Sequence, residues 1–370
     1  MKSVTRAVVL GTAMALVLAA CGSAPEDETP DTTTEPGDQE TTTEEAIDYK
    51  ACIVSDAGGF DDKSFNQLSY EGAKRAADEL GAEFAEVQSD SESDFQPNLE
   101  SLVAAGCDTI VSVGFALSAA TVESALANPD IQYVLVDDAA DNDFDGTKDA
   151  ENIKPLLYDT AEAAFLAGYL SAGYSEAGKV GTFGGMNFPT VSIFMDGFYQ
   201  GVNYYNEVNG ASVQVIGWDG SDGQFTGGFE ANDTAKNVAA GIIDQGVDVL
   251  LPVGGPIYQS AMDAIADSGR EIAILGVDAD VFNTDPSTQE LILTSILKQM
   301  DVSVYDAIMA AGQGSFDAEA YVGTLENDGV GIAPLHNFEG KVDAALWAEV
   351  EALRDAIIAG EVEVTSYLSN

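Results

Sequence analysis

The feature that most constrains the fold is a steady alternation of short apolar runs with helical segments. Residues 51–54 form a buried-type strand, a Gly-rich turn follows, and a helix is predicted from about residue 64 to residue 81. Further strands are predicted at residues 82–88, 109–113, 133–136, 180–183, 213–218, 247–253 and 272–277. Near-continuous apolar strands separated by helices are typical of parallel sheets. The sequence therefore predicts an α/β protein with two doubly wound parallel-sheet lobes.

Polar, aromatic and glycine residues follow several of these strands directly. In open α/β sheets, ligands bind beyond the carboxyl ends of the strands. The residues predicted at such edges are Asp56, Phe115, Asp137, Gly254, Gly255 and Asp278. Phe65 and Asn66 open the helix that follows the first strand, so we expect a ligand cleft between the lobes. The alternative for Asp56 and Ser64 is a purely local role in capping the turn and the helix.

The first 47 residues are predicted to lie outside the folded domain. Residues 1–20 carry two basic residues and an apolar run that ends in small residues, the pattern of a secretory signal peptide. Cys21 follows immediately, which resembles the lipobox of bacterial lipoproteins and implies a lipid-anchored protein on the extracytoplasmic face of the cell membrane. An ordinary signal peptide or a membrane-spanning anchor is the alternative, although the run is short for a span. Residues 21–47, rich in Thr, Glu, Asp and Pro, are predicted to form a disordered tether.

Charge excludes several classes of partner. The net charge of −49 argues against nucleic acid, because neutralising phosphates requires clustered Lys and Arg. The chain has four arginines, and none lies at a predicted strand–helix edge, so an anionic ligand is disfavoured as well. No cofactor is predicted.

Catalytic and metal sites are also disfavoured by the sequence. His336 is the only histidine and has no nucleophile motif near it. The acidic residues between Asp137 and Asp145 lack the spacing of an EF-hand loop, so a solvated acidic loop is preferred to a Ca²⁺ site.

Two cysteines, Cys52 and Cys107, lie in the predicted folded domain, each at the start of a predicted strand. Export makes a disulfide chemically permissible. We expect these two residues to be bridged, and two buried free thiols are the alternative.

Several ordered segments together resemble the basic membrane protein, or PnrA-like, family of substrate-binding lipoproteins. The matching residues are Ser55-Asp56 with Lys63 to Gln67, Val113 to Phe115, Tyr133 to Asp137, Gly184-Gly185 with Pro189, Val191, Phe194, Gly197-Phe198 and Gly201, Gly276 to Asp278, and Leu293 to Lys298. The resemblance covers nearly all of the chain after the tether. The sequence departs from the commoner family pattern in an insertion at residues 220–232 and in a second carboxylate at Asp138.

The resemblance implies a periplasmic-binding-protein type I fold that serves an ABC importer, with its permease and ATPase subunits as partners and a purine nucleoside as the expected ligand. It implies that Phe65 and either Phe194 or Phe198 sandwich the base. Asn66 and Asp137 would read the polar edge of the base, Asp278 and Lys298 would hold the ribose, and Gly254-Gly255 would allow close approach of the backbone. The expected lobes are residues 48–155 with 279–318 and residues 156–278 with 319–370. A sugar or a small signalling molecule is the alternative ligand, and a nucleoside hydrolase is the least favoured function.

Overall fold

The computed structural model describes residues 47–368. The predicted signal peptide, Cys21 and the tether through residue 46 lie outside the described residues. Within the described part of the chain, no helix is long and apolar enough to cross a membrane.

The described residues form two six-stranded sheets with helices on both faces. The strands are β1 (Lys50–Val54), β2 (Glu83–Val87), β3 (Thr109–Val113), β4 (Gln132–Val136), β5 (Ile153–Tyr158), β6 (Lys179–Gly184), β7 (Gln214–Ile216), β8 (Val249–Val253), β9 (Ala273–Asp278), β10 (Ile292–Lys298), β11 (Tyr321–Gly323) and β12 (Val330–Ile332). The helices are α1 (Phe65–Leu80), α2 (Phe95–Ala104), α3 (Ser118–Ala127), α4 (Thr160–Tyr174), α5 (Pro189–Asn209), α6 (Asp233–Ile243), α7 (Ile257–Ser268), α8 (Val281–Thr284), α9 (Met300–Gly312) and α10 (Ala344–Ile358).

The two sheets have the same strand order. The strand order is β11-β5-β4-β3-β1-β2 in the first sheet and β12-β10-β9-β8-β6-β7 in the second. Among the described strands, the pairing of β10 with β12 is antiparallel and the other pairings are parallel. Strands β1, β3, β4, β6, β8 and β9 are almost wholly buried, as expected for a sheet covered on both faces. The predicted fold class is confirmed.

The chain crosses between the lobes at different points from those expected. Strand β5 belongs entirely to the first sheet, and β10 pairs with β9 in the second sheet, so a boundary at residue 155 or residue 279 is wrong. The chain crosses after Tyr158, again after Lys298 and a third time between β11 and β12, so the boundary expected at residue 318 is wrong as well. Helix α4 then packs on α5 of the second lobe, and α9 packs on α1 of the first lobe. Because the helix after β5 and the helix after β10 each pack on the opposite lobe, the last residues of these two strands, Tyr158 and Lys298, lie beside the junction between the lobes.

A disulfide joins Cys52 in β1 to Cys107, which precedes β3. The Cα atoms are 6.0 Å apart, and both side chains lie in the core between the first sheet and helices α2 and α3. This is the pairing expected from the sequence. It links two neighbouring strands of the first sheet, because β1 pairs directly with β3.

Candidate ligand-binding site

The carboxyl ends of both sheets face a cavity of about 580 Å³ between the two lobes. The lining residues are Asp56, Gly58, Asp62, Phe65, Asn66, Gly114, Phe115, Ala116, Asp137, Phe188, Thr190, Val191, Phe194, Phe229, Val253, Gly254, Gly255, Pro256, Asp278 and Lys298. The structure thus brings together every binding residue expected from the sequence except Phe198.

Lys298 lines the cavity and lies between two carboxylates from different sheets. Its Nζ donates to Asp137 Oδ2 at 2.5 Å and lies 3.8 Å from Asp278 Oδ1. The three side chains are 2–8% exposed. The ammonium also lies 5.0 Å from the ring centroid of Phe194 and 5.5 Å from that of Phe65. One cation therefore lies between two buried acids and contacts aromatic rings of both lobes.

The two acids occupy equivalent positions in the two sheets. Asp137 follows β4 and Asp278 ends β9, and both have left-handed backbone, with φ of 67° and 66°. Asp tolerates this conformation better than most residues do. The turn after the neighbouring strand, β3 in the first sheet and β8 in the second, is also shared, because Gly114 and Gly254 both have positive φ, 113° and 137°. The site is therefore built from one local geometry used twice.

A second polar cluster lies at the start of α1. The Asn66 amide donates to Asp56 Oδ1 at 2.8 Å and to Asp62 Oδ2 at 3.1 Å. Because both amide hydrogens are directed at carboxylates, the carbonyl oxygen Oδ1 is the free end of the side chain. That oxygen is buried and has no hydrogen-bond partner among the described residues. It is an acceptor at the cavity wall that a ligand N–H or O–H can satisfy.

Burial dominates the electrostatics of these carboxyls. Loss of water raises the pKa of Asp56 to about 6, although hydrogen bonds from Gly58 and Asn66 oppose the shift. Loss of water also raises the pKa of Asp278 to about 6 and raises the pKa of Asp137, against the opposing effect of Lys298. The pKa of Asp62 is raised by burial as well. The polar wall is therefore rich in acceptors and poor in positive charge.

Aromatic rings from both lobes complete the cavity. Phe115 of the first lobe contacts Phe188 of the second, with centroids 4.9 Å apart, and Phe188 lies 6.1 Å from Phe229. Phe229 comes from the segment at residues 220–232 and packs on the bare Cα of Gly254, where a Cβ would approach its ring to 2.6 Å. Gly254 is therefore required because the Phe229 ring occupies the space that a Cβ would fill.

The expected role of Phe198 is wrong. Phe198 is fully buried in the core, and a Cβ at Gly168 of α4 would clash with its backbone. Phe194, one turn earlier in α5, does reach the cavity, but it is only 2% exposed and lies beneath Lys298. Both rings therefore pack the second lobe, and Phe194 also lies against the Lys298 ammonium.

Sequence reasoning missed Asp62, Phe188 and Phe229. Asp62 belongs to the acidic turn after β1, and Phe188 precedes the proline that starts α5, so both lie at a strand's carboxyl edge. That position was the signal that could have found them. Phe229 follows no strand, and it reaches the cavity through backbone hydrogen bonds of Thr226 and Gly227 to Gly184 and Gly185. Only the folded structure shows that placement.

His336 and the acidic loop have local structural partners. The His336 ring stacks on Phe282 at 4.0 Å, and its Nε2 lies 2.8 Å from Asp280 Oδ2. Asp141, Asp143 and Asp149 bring carboxylate oxygens within 4.8 Å of one another. Backbone N–H groups of residues 142, 145 and 146 donate to these carboxylates. Such hydrogen bonds are typical of a solvated acidic loop.

Two α/β lobes that enclose a small-molecule cavity between their carboxyl edges define the periplasmic-binding-protein type I class of solute-binding proteins. The family model described as "ABC transporter substrate-binding protein PnrA-like" matches residues 50–366. The chain therefore belongs to this family, also called Bmp. Its members are solute-binding proteins rather than enzymes, and they work with the permease and ATPase subunits of an ABC transporter.

Individual relatives agree with this assignment. An uncharacterized lipoprotein of Pyrococcus abyssi is 33% identical, over 80% of this chain and 71% of its own length. The ABC transporter nucleoside-binding protein BmpA of Lactococcus lactis is 27% identical, over 86% of this chain and 90% of its own length. Among solved structures, an ABC transporter system solute-binding protein from Aeropyrum pernix has a TM-score of 0.75 and 26% identity, covering 86% of this chain and 93% of that chain.

Proposed function

We propose that the cleft binds a nucleoside, with a purine base, and presents it to the permease of an ABC importer. The observation that carries this proposal is the combination of aromatic rings on both lobes with an acceptor-rich polar wall that holds a single ammonium. An aromatic face suits a base, and several acceptors suit ring N–H groups and ribose hydroxyls. A relative that is named as a nucleoside-binding protein supports the same ligand.

The base is proposed to stack between Phe65 and Phe229. Phe65 comes from the first lobe and Phe229 from the second, both line the cavity, and both are partly exposed. Phe194 is almost completely covered, so it offers a base much less surface. The free carbonyl oxygen of Asn66 and the carboxylate of Asp56 are the proposed acceptors for N–H groups of the base.

The ribose is proposed to lie against Asp278, Asp137 and Lys298. A carboxylate accepts from two hydroxyls, and the ammonium donates to a hydroxyl or a ring oxygen. These three residues form the most buried polar group of the cavity. A neutral polyol satisfies them without bringing in further negative charge. A phosphate on the ligand would meet four raised-pKa carboxyls and one lysine, so the unphosphorylated nucleoside is favoured.

Titration calorimetry tests the proposal. Protein freed of bound ligand by unfolding and refolding is titrated with inosine, guanosine, adenosine, ribose and galactose. We expect at least one purine nucleoside to bind and the free sugars to bind far more weakly. Phe65→Ala should weaken that binding by about 1–3 kcal/mol, the usual contribution of one stacked ring.

Phe316→Ala is the matched control, because Phe316 is also partly buried but lies outside the cavity. It should leave the affinity unchanged. Strong binding of a sugar with no nucleoside binding would keep the cleft and overturn the ligand. Equal affinity of wild type and Phe65→Ala for a nucleoside would overturn the proposed stacking.

The protein is further proposed to be anchored to the extracytoplasmic face of the cell membrane through a lipid on Cys21. The lipobox-like residues support this, and relatives are named as lipoproteins. The acidic tether would let the binding domain move near the permease while the lipid holds it at the membrane.

A further inference from the structure

The segment Lys63–Ser64 makes a contact between the lobes that helix capping does not explain. Ser64 occupies the N-cap position of α1, yet its side chain makes no capping hydrogen bond. Asp62 caps the start of α1 instead, because its carboxylate accepts from the backbone N–H groups of Ser64, Asn66 and Gln67 at 2.9–3.1 Å. The Ser64 hydroxyl is thereby left for another partner.

That partner lies in the second lobe. Ser64 Oγ is 2.9 Å from the carbonyl oxygen of Val277 and 3.0 Å from Asp278 Oδ2. Ser64 is fully buried in this position and does not line the cavity. The hydroxyl therefore connects α1 of the first lobe to the end of β9 in the second.

Lys63 makes a second connection of the same kind. Its carbonyl oxygen accepts from Thr284 Oγ1, at the end of α8 in the second lobe, at 2.7 Å. Thr284 also lies outside the cavity. The Lys63 backbone is left-handed, with φ of 63°, an unusual conformation for lysine that turns its carbonyl toward α8.

The charge of Lys63 also acts across the boundary. Burial alone would raise the pKa of Asp285, but hydrogen bonds from Ser287 and Tyr258, together with the Lys63 ammonium, lower it.

We propose that Lys63 and Ser64, with Val277 and Thr284 opposite them, form an interlobe latch that sets how long the ligand stays bound. The latch rests on the proposed cleft function but not on the identity of the ligand. Its hydrogen bonds join groups of different lobes, so they exist when the lobes are closed and are exchanged for water when the lobes part. Release of an enclosed ligand requires opening. A hydrogen bond made only in the closed state therefore slows release without touching the ligand.

Thr284→Val is the main test, because it removes one hydroxyl and keeps the shape of the side chain. Stopped-flow displacement of a bound purine nucleoside should show a dissociation rate about two- to tenfold faster than wild type, the effect of one net hydrogen bond. The association rate should change much less. Ser64→Ala should act in the same direction, because its single hydroxyl hydrogen is shared between Val277 O and Asp278 Oδ2 of the second lobe.

Thr288→Val is the matched control. Thr288 lies four residues further along in the same lobe, and its hydroxyl donates to Val281 and Asp285 of that lobe. The substitution is chemically identical but removes no bond between the lobes. It should leave the dissociation rate unchanged. A rate increase equal to that of Thr284→Val would overturn the latch.

A measurement without ligand separates the latch from the nucleoside proposal. Spin labels are attached to cysteines introduced at two exposed positions, Glu92 of the first lobe and Glu230 of the second. Pulsed electron–electron double resonance then reports the distance between the lobes. We expect Thr284→Val and Ser64→Ala to shift ligand-free protein toward longer distances relative to wild type and Thr288→Val. Identical distance distributions in all four proteins would overturn the latch, whatever the cleft binds.

Discussion

Asp278 shows at the scale of a single residue how position and burial combine. Its left-handed backbone turns the side chain into the cavity at the end of β9, and only 5% of the residue is exposed. Burial holds its pKa near 6, although Lys298 is only 3.8 Å away. At neutral pH it is therefore an ionised acceptor, but one that is protonated by mild acid.

The affinity for a nucleoside is expected to fall as the pH drops below about 6. Protonation of Asp278 and Asp56 removes acceptors that ligand donors need. Titration calorimetry between pH 5 and pH 8 measures this change. Asp278→Asn should bind more weakly at neutral pH and should show a flatter pH dependence. An affinity that is constant over this range would contradict the role given to these carboxyls.

Stability of the free protein should respond to the same group with the opposite sign. The folded pKa of about 6 lies above the usual value near 3.9, so the native state binds this proton more readily than the unfolded state does. The contribution of Asp278 to the free energy of unfolding is thus greatest below about pH 4 and is lost as the pH rises through about 6. Comparing urea unfolding of wild type and Asp278→Asn across this range isolates that contribution.

At the scale of elements, the segment at residues 220–232 delivers a cavity ring without being a helix or a strand. Gly184, at the end of β6, donates its N–H to the Gln224 carbonyl oxygen and accepts a hydrogen bond from the Thr226 N–H. Phe225 packs on Trp218 and on Gly184, and Phe229 continues to Gly254. Two glycines at strand ends leave the space that the two rings fill.

Phe229 and Phe198 should respond to truncation in opposite ways. Phe229→Ala should weaken nucleoside binding by about 1–3 kcal/mol and change stability little, because the ring is partly exposed at the cavity. Phe198→Ala should cost about 3–5 kcal/mol of unfolding free energy and leave the affinity of the folded protein unchanged, because the ring is core. Calorimetric titration and urea unfolding of both variants decide the matter. Loss of affinity in Phe198→Ala alone would restore the stacking role first expected for it.

At the scale of the whole molecule, the two sheets repeat one strand order but differ in the last residue of the strand from which the chain crosses to the other lobe. β5 of the first sheet ends at Tyr158, and the equivalent β10 of the second sheet ends at Lys298. The ring centroid of Tyr158 is 5.6 Å from the Lys298 ammonium, so the two equivalents meet. Equivalent strand ends therefore carry a neutral tyrosine in one lobe and a lysine in the other, and this lysine is the cation among the residues that line the cavity.

The proposed attachment to the membrane involves a residue outside the binding domain and is tested on the whole chain. Cys21→Ala is expected to move the protein from the membrane fraction to the soluble fraction of the cells that export it, because no lipid could then be added. Fractionation with immunoblotting measures the distribution, and Ser23→Ala is a matched control beside the proposed lipidation site. A Cys21→Ala protein that has lost its signal peptide and still remains with membranes would refute the anchor.

The sequence by itself determined the alternation of strands and helices, and with it the fold class and most of the cavity. Asp56, Phe115, Asp137 and Asp278 could be placed because each follows an apolar strand, and parallel strands bring their carboxyl ends to one edge. The disulfide was expected because Cys52 and Cys107 are the two cysteines of the predicted folded domain of an exported chain, and the structure places Cys52 in β1 and Cys107 just before the neighbouring strand β3.

Tertiary structure decided what local pattern does not contain. Phe194 and Phe198 have the same helical spacing, but the packing of α4 on α5 buries one completely and leaves the other at the cavity. Phe229 reaches the site through contacts with glycines distant in sequence. Strand β10 pairs with β9 and so belongs to the second sheet, which its own sequence does not indicate. Such choices depend on contacts between residues far apart in the chain, which exist only once the lobes have formed.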